Sequence, residues 1–99
     1  MIHINIVFDE EMDDVDIIAL PENIFYDIAS ITRQFMDWLP DAPKDDSDYW
    51  TYINGKTCVS LETDGFVKWL NQTYFHGSNE VFIVEQHTKY HPEYQRIDF

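Results

Sequence analysis

Asp9, Glu10, Glu11, Asp13, Asp14 and Asp16 place six carboxylates within eight consecutive residues. Carboxylates at this density can ligate a hard cation, face a basic partner, or simply stay solvated. A calcium loop needs acids at alternating positions, a glycine at its turn and a distant glutamate. That order is missing here. It is missing too from the second cluster, Asp45, Asp46 and Asp48 around Ser47. On motif grounds a metal site is disfavoured against an acidic surface.

The other candidate groups are few. His87 and His91 are four apart, a spacing that suits zinc only on a helix. Thr88, Tyr90 and Pro92 surround them after an apolar run, so a shared helical face is not expected, and no third ligand is in sight. Cys58 is the only cysteine. It lies in a strand-like run, and a buried structural thiol is a better reading than a nucleophile. No glycine-rich phosphate loop, serine nucleophile elbow or His-Glu-His helix occurs. A glycosidase-type carboxylate pair stays open, but a chain of 99 residues has little room for a cleft beside a core. A non-enzymatic role without cofactor or metal is expected.

The net charge of −13 comes from 19 acids against six Lys and Arg. It is lopsided. Residues 1–48 hold 13 acids against Arg33 and Lys44, a net of −11, and residues 49–99 carry the remaining −2. Nucleic acid and anionic membrane need clustered Lys and Arg, so neither is an expected partner. A basic protein surface is the natural complement. Sixteen per cent aromatic content argues against an acidic disordered chain. A single domain with one core is expected. The lone cysteine, an N-terminus without a leader pattern and the lack of a long apolar run suggest a cytoplasmic protein.

These residues need elements to position them. Ile2, Ile4, Ile6 and Phe8 alternate with His3, Asn5 and Val7, which predicts a strand. A second strand over residues 16–20 is expected to pair with it, making the first acidic run a hairpin connection. Pro21 opens a helix and Pro40 stops it. Between them Ile24, Ile28, Ile31, Phe35 and Leu39 keep helical spacing, which predicts one amphipathic helix of about five turns. Asn54-Gly55 predicts a tight hairpin between strands at 49–53 and 56–61. Thr63-Asp64 suits the cap of a second helix running to about Phe75, with Gly77 as its C-cap. Val81, Phe82, Ile83 and Val84 read as a strand buried on both faces, and residues 94–99 as a last edge strand or tail. The order β-β-α-β-β-α-β(-β) predicts an α+β fold: a mostly antiparallel sheet of four to six strands with two helices on one face.

Three segments carry a resemblance. They are Met1-Ile2-His3-Ile4-Asn5-Ile6-Val7-Phe8-Asp9-Glu10-Glu11, the helix ending Gln34-Phe35-Met36-Asp37-Trp38-Leu39, and Gly65-Phe66-Val67-Lys68-Trp69-Leu70-Asn71. Together they resemble small acidic immunity proteins of bacterial toxin–immunity systems, in particular those of contact-dependent growth inhibition. The resemblance spans most of the chain but has no diagnostic motif. It implies a cytoplasmic inhibitor that binds and blocks one cognate toxin domain, often a basic nuclease. On that reading the docking residues are Asp9, Glu10, Glu11, Asp13, Asp14, Asp16, Asp45, Asp46 and Asp48, with Tyr49 or Trp50 as an apolar anchor. Two other classes share parts of the pattern. A phage-encoded nucleic-acid mimic, an anti-restriction or anti-CRISPR protein, is also small and acidic. A small enzyme would need a His, Cys and acid trio in one pocket.

Overall fold

A computed structural model describes residues 1–99. The alternating isoleucines of the N-terminal run form strand β1 (Ile2–Val7), which turns back into β2 (Val15–Leu20). The two pair antiparallel, Ile2 opposite Leu20 and Ile6 opposite Asp16. All six residues of β2 are buried. That forces β2 into the middle of a sheet, because both of its faces need cover. Strand β5 (Phe82–Thr88) adds antiparallel to its outer side, and β6 (Gln95–Asp98) adds parallel to β1. The four-stranded mixed sheet has the order β5-β2-β1-β6. The fold is α+β, as the element order predicts.

One face of the sheet carries Ile4, Ile6, Ile18 and Leu20 and packs against the helices. The segment predicted as one long helix is two, α1 (Glu22–Tyr26) and α2 (Ile28–Trp38). Asp27 breaks it, with φ −111° and ψ 20°. Asp favours local hydrogen bonds over a helix interior, and here its carbonyl restarts the ladder by accepting from the Ile31 N–H. A 3-10 turn (Leu39–Asp41) holds Pro40 and ends the segment. Helix α3 (Thr63–Phe75) completes the layer. Phe35 of α2 sits at the centre of an aromatic cluster. Its ring centroid lies 5.1 Å from Phe66 and 5.3 Å from Trp69, both on α3. Such tilted pairs add to the burial of their large apolar areas.

The opposite face has a smaller core of Val7, Val15 and Ile17. Tyr90 and Tyr94, from the β5–β6 connection, cover it together with Met12. Asn5 lies under this connection, fully buried, and clamps it. Its amide nitrogen donates to the carbonyls of His91 and Gln95, and its amide oxygen accepts from the His91 N–H at 3.0 Å. A buried amide so fully paired fixes the chain path.

Besides the broken helix, two features depart from expectation. Residues 81–84 were expected to be buried on both faces, but β5 is the sheet's edge, and Phe82 and Val84 are 45% and 41% exposed. The fully buried strand is β2, although its apolar run over residues 17–20 is no longer than that over residues 81–84. The Asn54-Gly55 hairpin forms, as β3 (Trp50–Ile53) and β4 (Lys56–Val59), with both turn residues at positive φ. It stands apart from the main sheet as a two-stranded ribbon. Cys58 is therefore only half-buried rather than a core thiol.

Candidate docking surface

Helix α3 organises both acidic clusters. At its N-terminus the Thr63 hydroxyl does not cap the helix; no side chain does. It donates instead to Oδ2 of Asp16, 47 positions back. The other carboxylate oxygen of Asp16 accepts the His87 backbone N–H at 3.0 Å. His87 sits in the left-handed region, φ 54°, at an irregularity where β5 carries extra residues against β2. Asp16 thus ties β2 to α3 and to the bulge of β5. It is 9% exposed, so this member of the expected docking set is a structural tie rather than a surface group.

Around that tie the chain forms an open cleft of about 380 Å³. Asp9, Glu11 and Asp14 come from the β1–β2 loop, and Glu62 and Asp64 from the start of α3. With Asp16 they make six acids, and no Lys or Arg lines the cleft. The loop turns sharply to present them, with Asp9 and Glu10 at φ 51° and 60°. The Glu11 N–H donates to the Phe8 carbonyl, and Phe8 stacks on Phe99 to anchor the loop's start. The one nearby group able to carry positive charge is His87. Its Nδ1 lies 2.9 Å from Asp14 Oδ1. Its pKa is raised, first by the hydrogen bond and charge of Asp14 and then by Asp16 and Asp64. The positive end of the α3 dipole also faces the acids and offsets part of their repulsion. Glu10 and Asp13 are exposed on the same loop.

The second cluster is different. Lys68 Nζ, one and a half turns into α3, lies 2.6 Å from Asp46 and 3.2 Å from Asp48. The pairing with Asp46 raises the Lys68 pKa and lowers that of Asp46. Asp46 also accepts the Asp48 N–H, closing a tight turn. Two of the three acids expected to dock therefore already share one lysine within the chain, which offsets half of their charge; Asp45 stays exposed. Tyr49 is 1% exposed, packed edge-on against Trp38 at 4.9 Å, and cannot serve as a surface anchor. Burial raises its pKa, and its hydroxyl has no hydrogen-bond partner. Trp50 is half-buried, with Nε1 donating to the Ala42 carbonyl and Lys44 over its ring.

The acids therefore do not act as one surface. Thr63 and Lys68 are five residues apart, about 140° round the helix and ~7.5 Å along it. The first cluster meets one flank of α3 and the second meets another. Sequence reasoning missed Glu62, Asp64 and His87 as neighbours of the first loop. Their only local signals were a helix start and a histidine pair, and nothing in one dimension joins either to Asp14.

His87 and His91 have separate partners: His91 lies 3.1 Å from Glu93 and 3.4 Å from Glu85. No group of three or more His, Cys, Asp or Glu side chains is arranged to hold a metal ion. No helix is long and apolar enough to cross a membrane. Comparisons with protein-family models, curated proteins and solved structures find no match for this chain.

Proposed function

We propose that the chain is an immunity protein that binds and neutralises a cognate toxin domain carrying a basic surface, of the kind nucleases present. The observation that carries this reading is the cleft of six acids drawn from the β1–β2 loop, β2 and α3, with no Lys or Arg in its lining. Like charge brought together by a fold, offset within the cleft only by His87, costs stability, and a basic partner turns that cost into affinity. The second cluster contributes less, because Lys68 already engages Asp46 and Asp48.

Charge of this kind raises association rates by roughly 10- to 1,000-fold at low salt, which suits an inhibitor that must capture a lethal enzyme quickly. An interface of about 800 Å² per partner fits a chain of this size. The test is co-expression with the product of the adjacent gene, pull-down, and kinetics over a salt series. Association is expected to slow as salt rises, and the Asp9→Asn, Glu11→Gln, Asp13→Asn variant to associate more slowly and with a shallower salt dependence. A variant with unchanged affinity and unchanged salt slope would sink this reading.

A further inference from the structure

The acidic cleft has a neighbour that is more apolar, with Lys68, already paired to Asp46 and Asp48, on its α3 side. A second groove, of about 430 Å³, runs between α3 and the open edge of β5. Its apolar walls include Val67, Phe82 and Ile83. Asp64 lines both grooves, and Gln86 of β5 reaches across to it, Nε2 to Oδ2 at 3.3 Å. The two grooves are consecutive stretches of one trough. This exposed amide–carboxylate bridge is the divide between them.

The trough's shape says how it is read. Beyond Gln86 the edge of β5 is irregular, because the strand bulges against β2 and His87 turns left-handed. Bulged edges of this kind resist strand addition. At the bulge, recognition then comes from side chains. From Ile83 to His87 is four residues, or ~13 Å of strand. We infer that the trough takes an extended segment of a basic partner protein. An apolar side chain of that segment enters between Val67 and Phe82. A Lys or Arg about four residues along reaches Asp9, Glu11 and Glu62. Charge complementarity selects this occupant over a second copy of the chain, whose own net charge is −13. The inference rests on the basic-partner reading and specifies where and how that partner is gripped.

The test uses the intact chain, immobilised, and a phage-displayed library of random dodecapeptides as the probe. The enriched peptides are expected to pair a Lys or Arg with an apolar residue about four positions away. Their binding is expected to fall about tenfold on the Asp9→Asn, Glu11→Gln protein and, separately, on the Phe82→Ser protein. These side chains are exposed, and unfolding midpoints confirm that both variants fold. Basic peptides that bind all three proteins alike overturn the trough and leave the basic-partner reading standing. Loss on the acid variant with none on Phe82→Ser overturns the two-part grip. Failure to enrich basic peptides at all overturns the trough and counts against the wider reading as well.

Discussion

Thr63 donates its hydroxyl to Asp16 across 47 positions of sequence, in a buried setting, while the same carboxylate accepts the backbone N–H of His87. The pair fastens helix, sheet and bulge at one point, directly under the acidic cleft. Replacing Asp16 by Ala leaves both donors unpaired, which costs about 2 kcal/mol or more. Asp13→Ala, on an exposed loop position, should move stability by less than about 0.5 kcal/mol. Urea unfolding of the two variants measures the contrast, and equal losses would mean that Asp16 is not the tie described.

Gly65 is expected to resist substitution. Helix interiors normally gain about 1 kcal/mol on Gly→Ala. Here an added Cβ would lie 2.5 Å from the Asp48 carbonyl oxygen, a backbone atom, and 3.2 Å from the Tyr49 ring. Separating α3 from the 41–48 loop to make room should cost about 1–3 kcal/mol and outweigh the helix gain. A lowered thermal midpoint for Gly65→Ala is the expected outcome. A raised one would show that the loop yields freely.

Tyr49→Phe should be neutral or stabilising. The ring is packed against Trp38 and its buried hydroxyl has no partner. Removing an unpaired buried hydroxyl relieves a desolvation cost of about 1 kcal/mol or more. The ring keeps its contacts, including the Lys68 ammonium 5.4 Å from its centroid. Denaturant midpoints decide the matter, and a clear loss on Tyr49→Phe would point to a hydrogen bond made by that hydroxyl.

The pH dependence has a definite sign. His87 and His91 both titrate above the usual 6.5, His87 chiefly because of Asp14 and His91 chiefly because of Glu93. A group whose folded pKa is raised stabilises the fold fully below its unfolded value and loses that contribution as pH rises through the folded value. Stability should therefore decline slightly from about pH 6.5 upward. Solvent exposure keeps the effect small. Imidazole proton shifts in NMR read the two pKa values directly. Asp14→Asn should bring His87 back toward 6.5 and leave His91 where it is.

Much of the architecture was legible. The isoleucine alternation, Asn54-Gly55, the helical spacing of Phe66, Leu70 and Tyr74, and the flanking prolines each name a local conformation through local sterics. They located β1, the β3–β4 hairpin, α3 and the end of the first helical segment within a residue or two. The break at Asp27 was not legible, because Ile24 and Ile31 keep one helical phase across it. The edge position of β5 was hidden too. Hydrophobicity reports how much burial a strand wants, not which strand is beside it.

Sequence alone determined the charge, its concentration in the first half and the two acidic clusters, since these depend only on residue identity. Tertiary structure alone decided which acids are free. Lys68 reaches back 22 and 20 positions to the second cluster, pairing with Asp46 and Asp48, and Thr63 ties down the buried Asp16. Glu62 and Asp64 join the first loop only because α3 starts beside it. The reason is Coulombic. An acid's availability depends on distances to other charges in space, and those distances come into being only when strand, helix and loop are packed.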